Sequence, residues 1–568
     1  MKSSAKQVHV EPFKAVFQAI VGNVFGLTAD KDPVIQAMFK DVPKDVSVPK
    51  SVAQALKSEH KHLWKWAMDQ EMKALRKMGT WIQVPYRKNT RMLGAMWVYD
   101  IKYNADLSVY KFKARLVARG DRQIPGLDYG ETFAATAQMR TVRLLCVLAL
   151  VFRAKLTHVD ISNAFTNGEL DEELYLRHPP GYPGTPGTML KLMKSIYGLC
   201  QASRVWQLTL TKALMDIGFK QCVSDTCLFY HPDHLCFVSI HVDDILFLCD
   251  DDDFRAHVVS ELKKVFKLTD SGVVSVYLGM NFAFPDASTC LINQTSYIRK
   301  MLNRFNLADV NPTKTPLPQN LKMTNADSPT TFEEKSQMEK KPYRALIGSL
   351  LYAARGTRPD ISYAVGALAK FNQNPGKAHW RYAQHVLKYL KGTTTSGLVY
   401  KHESDEKKIN IEIFSDSDWG SSPDDRRSVS GFVVCVNGNP ISWCSRVQKT
   451  VALSSCEAEF LALSEAMREA LWLRQLLIEL DVGFVAPIII RVDNQSAIRL
   501  AENPVAHQRS KHIDIRYMRI REEIRSGTIG VRYVPTGENL ADLLTKSPTL
   551  GQFQANLPKF VGDADTGV

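Results

Sequence analysis

A chain of 568 residues, 45% hydrophobic and 23% charged, has the length for about three or four domains and an ordinary globular composition. Its formal net charge of +13 fits a polyanionic partner such as nucleic acid, and fits equally a basic surface that only keeps the chain in solution. Ten cysteines without a CxxC pair exclude a disulfide framework or zinc ribbon, and the longest apolar run, LLCVLALVF at 144–152, is too short to cross a bilayer. No secretory pattern opens the chain, so the expected setting is the cytoplasm or the nucleus, with no membrane partner.

Residues 1–48 carry little pattern and read as an N-terminal arm. From residue 49 the apolar stripe Ala55, Leu56, Leu63, Trp66, Ala67 and Met72 predicts helix. Residues 95–117 alternate as two strands around the turn ADLSV. A helix near 139–153 leads into KLTHVDISNAF, a strand ending at Asp160, and a second helix is expected near 203–217. Next comes FVSIHVDDILFLCD (237–250), an apolar strand run broken by Asp243 and Asp244. Either a tight turn or a bound cation explains adjacent carboxylates there. Asp250–Asp253 open the following helix and suit its N-terminal dipole. Residues 49–310 together read as an α+β domain.

The stretch 311–342, rich in Pro, Thr, Ser and charge, reads as a linker, and 343–402 as a basic helical segment. Residues 409–548 follow a β-β-β-α-β-α order, an α/β domain. It includes a hairpin turning at Asn437-Gly438 and an amphipathic helix from Ser454 to Leu480, with Leu463, Met467 and Leu471 at four-residue steps. A basic helix near 514–526 could steer phosphates or carry ordinary i,i+4 pairs. Residues 549–568 form a tail.

Phosphoryl transfer on nucleic acid needs two divalent cations held in line with the reacting oxygens, and Mg²⁺ takes carboxylate oxygens. Acids at the ends of strands and the starts of helices are the candidates: Asp160, Asp243 and Asp244 in the first domain, and Asp416, Glu457, Asp493 and Asp542 in the last. Asp416 is preferred to Asp418 as the first acid after its strand. Ser454 and Glu457 also fit a capping box, and Asp493-Asn494 also fits a plain turn.

Several segments, in order and spacing, carry a resemblance. They are KFKARLVARGDRQIPGLDYGETFAATAQMRTVRLL, VDISNAFTNGELDEELYLRHPPGY, SIYGLCQASRVW and HVDDILF, followed by SDSDWG, SSCEAEF, VDNQSAI and ENLADLLTK. The chain resembles the reverse transcriptase and ribonuclease H portion of copia-type LTR retrotransposon Pol polyproteins from about Pro49 to Lys546. The resemblance implies a right-hand polymerase of fingers, palm and thumb followed by a ribonuclease H-like domain. It implies an RNA-directed DNA polymerase that also hydrolyses the RNA of RNA–DNA hybrids. All seven carboxylates would be catalytic and would hold two Mg²⁺ per site, with Mn²⁺ as the alternative.

By position, Phe165 would exclude a ribose 2′-hydroxyl, Gln201 would contact the nucleotide, and Lys113 and Arg115 would meet its triphosphate. Core packing for Phe165 and a solvated strand edge for the two cations are the plain readings. VYLGMNF (276–282) resembles the segment beside the primer terminus. Implied partners are an RNA template, a primer, RNA–DNA hybrid and dNTPs, with an oligomer left open and retrotransposon particles as a cytoplasmic setting. No protease, integrase or Cys-His knuckle pattern appears, so a piece of a larger polyprotein or a standalone fragment is expected. His241, Cys200 and Ser203 stand where the family commonly has Tyr, Lys and Pro. These departures sustain a second reading, a relic that only binds nucleic acid, and a narrower one, a chain that only degrades hybrids.

Overall fold

The computed structural model describes residue 42 and residues 46–103, 108–502 and 514–563, so most of the expected arm over 1–48 and most of the turn in ADLSV lie outside the described residues. The chain forms two compact units, Met1–Phe133 with Phe165–Trp206, and Ala134–Ala164 with Gln207–Val568. The expected domain over 49–310 therefore falls across both.

In the first unit, the helix Lys61–Lys77 buries Leu63, Trp64, Ala67, Met68, Met72 and Leu75. That face lies on a two-stranded ribbon, Ala95–Tyr103 paired antiparallel with Val109–Ala118. Strand alternation turns Phe112, Ala114, Leu116 and Ala118 inward and leaves Lys111, Lys113 and Arg115 half-buried on the other face. Trp64 meets Tyr99 and Phe112 edge-on at ring distances of 5.2 and 4.5 Å. Gly198, at φ +91°, lies so near the ribbon that an added Cβ would come 2.3 Å from the Ala118 carbonyl oxygen. Only glycine fits there.

The second unit holds three sheets. One has six antiparallel strands in the order Leu268–Val273, Lys155–Ile161, Asp244–Cys249, Cys236–His241, Leu228–Tyr230, Lys220–Gln221. A second sheet of five strands runs from Val276–Tyr277 to Gly562–Asp563. The helix Met139–Phe152, buried from Thr141 to Val151, packs against strands of all three sheets. That placement accounts for its apolar residues on every side.

The 311–342 stretch is not a free linker. Leu317, Met323 and Met338 are buried, and capping boxes open the turn Asn325–Asp327 and the helix Phe332–Glu339. Its prolines and polar residues make turns over a core that a few apolar side chains enter. The helices Tyr343–Gly356, Ser362–Ala369 and Lys377–Gly392 follow. They enclose a fully buried Arg358–Asp360 ion pair at 2.7 Å, and the Tyr389 hydroxyl donates to Asp360 at 2.6 Å. The segment then ends as a strand, Ser396–Lys401, in the second sheet. In the tail, Phe553, Phe560 and Val561 are buried and Gly562–Asp563 pairs with Ser396 and Gly397.

The third sheet orders its strands Asn439–Val447, Val429–Val436, Ile411–Asp418, Ile488–Val492, Ile529–Tyr533. The first three are antiparallel neighbours, and the last two run parallel to Ile411–Asp418. This is the strand order of a ribonuclease H-like sheet, with the helix Ser455–Glu479 packed upon it. The hairpin turns at Asn437 and Gly438, both at positive φ, as expected. Arg143 ties the unit together. Its guanidinium donates to the carbonyls of Ile441 at 2.6 Å, Arg355 at 2.7 Å and Gly356 at 2.9 Å, and lies 3.9 Å from the Trp443 ring centroid. Burial pulls its pKa down to about 10. Among the described residues no helix is long and apolar enough to cross a membrane.

Candidate active sites

Asp416 lies near the end of the central strand of the third sheet and is 3% exposed. Asp493 follows the strand Ile488–Val492, which runs parallel to it, so both acids emerge at the same sheet end. Glu459, 5% exposed, comes down from the helix Ser455–Glu479. One carboxylate oxygen of each of these three lies within 4.8 Å of the others. Thr545 donates to Asp416, Thr536 to Asp493 at 2.9 Å, and the Ser417 amide to Glu459 at 3.1 Å. Asp542 is buried beside them in the turn Leu540–Leu544 and ion-paired with Lys546.

The helix contributes Glu459, where Glu457 was expected. Glu457 accepts the Leu453 amide at 2.8 Å while its own amide donates to Ser454 Oγ at 3.2 Å. It closes the helix start, and two residues on a helix point about 200° apart.

These acids repel one another in a dry place. Burial, then the charges of Asp542 and Asp493, push the Asp416 pKa up to about 7. Burial, then Asp416 and Asp493, hold Glu459 well above the usual carboxylate range. Burial also raises Asp542, against the pull of Lys546. Glu459 Oε2 is buried without a hydrogen-bond partner. An all-oxygen donor set with excess negative charge and an orphaned oxygen suits a hard divalent cation.

The second set lies on the six-stranded sheet. Asp160 and Asp244 are directly opposite in antiparallel register, and the Ile161 amide donates to the Asp243 carbonyl at 2.8 Å. Asp243 follows Val242 in the two-residue turn between His241 and Asp244. Val242 stands at φ +57°, a conformation a β-branched residue rarely adopts. Such a residue costs on the order of 1–3 kcal/mol. Asp244 Oδ1 lies 2.9 Å from His158 Nε2, and the His158 ring meets Tyr277 edge-on at 5.7 Å. Asp160, Asp243 and Asp244 therefore share one sheet end. Among the described residues, only the Asp416 set closes to 4.8 Å. His241 Nδ1 is buried without a partner, and burial lowers its pKa against the pull of Asp244 and Asp243.

In the first unit, Arg115 stacks on Tyr197 at 4.7 Å, and Tyr197 meets Phe165 edge-on at 4.7 Å. The Ala118 amide donates to the Tyr197 carbonyl at 2.8 Å and holds it against the ribbon. Tyr197 lies within the segment SIYGLCQASRVW, where no pattern singles it out. Burial, then Arg115, Lys111 and Lys102, lower the Lys113 pKa. Gln201 is 2% exposed, and its amide is spent on the Asp128 carbonyl at 3.0 Å, Glu172 at 3.1 Å and Gln123 at 3.1 Å. It supports the loop from a buried position.

Residues 78–319 match the family of reverse transcriptase (RNA-dependent DNA polymerase). The Pol polyprotein of transposon TNT 1-94 from Nicotiana tabacum is 36% identical over 512 residues, covering 89% of this chain and 38% of that protein. That of transposon RE1 from Arabidopsis thaliana is 35% identical over 513 residues, covering 89% and 34%. The putative transposon Ty5-1 protein of Saccharomyces cerevisiae is 30% identical over 318 residues, covering 55% of this chain and 100% of that protein. The chain belongs to the copia-type retrotransposon Pol family. It spans 34–38% of the length of the two plant Pol polyproteins.

The matched stretch 78–319 contains the whole six-stranded sheet with Asp160, Asp243 and Asp244, and the third sheet follows it. The copia-type segment VYLGMNF forms a hairpin, Val276–Tyr277 against Met280–Asp286, and Tyr352 donates to its Leu278 carbonyl. Asp251 caps the helix Asp252–Val265, as expected of the acidic run. The basic helix Asp514–Arg525 carries ordinary pairs. Arg519 bridges Glu522 at 2.9 Å and Glu523 at 2.5 Å, and Arg521 donates to the Leu500 carbonyl at 3.0 Å.

Proposed function

We propose that this chain copies an RNA template, then DNA, by extending a primer with dNTPs, and hydrolyses the RNA strand of the resulting hybrid. One observation supports the reading above others: each of two sheets brings acids far apart in sequence to one strand end. Asp160, Asp243 and Asp244 would hold cations in the palm, and Asp416, Glu459 and Asp493, with Asp542 beside them, would hold them in the second site. Mg²⁺ is the expected ion and Mn²⁺ the alternative. When bound, a pair of such ions supplies charge neutralisation and alignment for in-line displacement.

The chain's own residues do the rest. His158 orients Asp244, Thr545 and Thr536 fix Asp416 and Asp493, and burial keeps competing solvent from the Asp416 oxygens. The Arg115–Tyr197–Phe165 stack in the first unit offers a cation for phosphate and flat rings for a sugar. Primer extension on an RNA template, compared with Asp243→Asn, tests the first activity, and cleavage of labelled hybrid, compared with Glu459→Gln, tests the second. Equal background from chain and variant in both assays would leave only the nucleic-acid-binding relic.

A further inference from the structure

Beside the Asp416 set opens a cleft of about 650 Å³ that the hydrolytic chemistry leaves unexplained. One wall belongs to the ribonuclease H-like domain: Trp419, Arg426 and Arg446, with Lys546 at the end nearest the acids. The other wall comes from earlier in the chain, where Lys322 from the 311–342 stretch and Lys370 after the helix Ser362–Ala369 face the same space. Five cations thus line the cleft against two carboxylates, Asp418 and Asp424. Asp424 is already engaged, accepting the Asn325 amide at 3.0 and 3.1 Å. Lys322, Lys370, Arg426 and Arg446 are exposed and make no ion pair within 4 Å among the described residues.

The wall is built. The Ser422 carbonyl takes the Arg426 amide at 2.9 Å, and the Gly420 amide donates to Ser428 Oγ at 3.0 Å, so the loop presents Arg426 from a fixed backbone. Trp419 is 49% exposed, yet its indole N–H donates to the Ala452 carbonyl at 2.9 Å, which fixes the ring. Cations at a span of several residues beside one flat, oriented ring match a nucleic-acid strand, with phosphates on the cations and a sugar or base on the ring.

The geometry points to this cleft as the track for one strand of the RNA–DNA hybrid, with Lys322 and Lys370 as positioning residues supplied from outside the ribonuclease H-like domain. The inference rests on the hydrolytic reading of the Asp416 set and adds that the domain alone lacks half of its grip.

The test uses the full chain with Lys322→Glu and Lys370→Glu together, assayed for hybrid cleavage across a range of salt. KM is expected to rise about 10-fold or more at 0.1 M salt, kcat to stay within about 3-fold, and the salt slope of log KM to flatten by about 2. Lys407→Glu with Lys408→Glu, ahead of the strand Ile411–Asp418 and so at the end opposite Asp416, serves as the control and should change neither. A second measurement needs no turnover. In the Asp416→Asn chain, hybrid should protect Lys322 and Lys370 from an amine-acylating reagent, read by mass spectrometry. Cleavage with unchanged KM, unchanged slope and no protection overturns the cleft. Protection without any cleavage by the unsubstituted chain supports the cleft and removes the hydrolytic reading instead.

Discussion

The two carboxylate sets meet the same demand by different means. The Asp416 set is crowded and electrostatically loaded, burial and mutual repulsion raising the pKa of both Asp416 and Glu459. The Asp160 set is half-exposed, carried on a turn with Val242 in a left-handed conformation, and Asp244 lies 2.9 Å from His158 Nε2. One site stores its tension in charge, the other in backbone and in a second-layer hydrogen bond. Each should therefore fail in its own way.

The largest expected effect separates Glu459 from Glu457. Glu459→Gln should lower hybrid cleavage by about 10²–10³-fold or more, the scale of several kcal/mol of lost charge stabilisation. Glu457→Gln should leave cleavage within about 3-fold and cost only about 0.5–1 kcal/mol of stability, as for a lost cap. If the two variants lose cleavage equally, the helix phase described above is wrong.

His158→Ala comes next. Releasing Asp244 should slow primer extension by about 10–100-fold, as for other residues that orient metal-holding groups. Hybrid cleavage should be untouched. Extension at the parental rate would show that the 2.9 Å contact does not position Asp244.

A pH series on the chain, read as the difference from its Asp416→Asn variant, probes the loaded site. Asp416 and Glu459 have folded pKa values above the unfolded ones, so their protonated forms favour the fold. That stability is fully present below about pH 4 and lost as pH rises through about 7, where Asp416 titrates. Without divalent cations, Tm should fall by a few °C from acid to neutral pH, and added Mg²⁺ should restore more of it at pH 8 than at pH 5. A Tm that rises over this range, or an Mg²⁺ effect independent of pH, contradicts the charge account.

The smallest effect concerns Val242. Glycine there escapes the strained φ but adds unfolded-state freedom, so Val242→Gly should be neutral or stabilising by up to about 1 kcal/mol. A urea midpoint shifted downward would mean that Val242 holds the turn through its side chain.

Much of this architecture could be read ahead of the structure, because strand alternation and apolar periodicity report local geometry directly. The hairpin of Cys236–His241 and Asp244–Cys249, the Asn437-Gly438 turn and the long C-terminal helix all lie where pattern placed them. Helix phase was the missed signal for Glu459. The stripe Leu463, Met467, Leu471, extended back by four, reaches Glu459, whereas the capping pattern drew attention to Glu457. Tyr197 carried no periodic signal, since its role depends on a backbone bond to a strand about 80 residues earlier. The 311–342 stretch misled for the opposite reason. Composition counts its many polar residues, while burial depends on Leu317, Met323 and Met338.

The pairing of Gly562–Asp563 with Ser396 and Gly397 gives the tail a protective task. A chain ended at Pro548 would bare that strand's outer rim and empty the seats of Phe553, Phe560 and Val561. Self-association through the opened edge would follow. Any proteolytic trimming that leaves the protein dispersed must therefore spare residues 549–563.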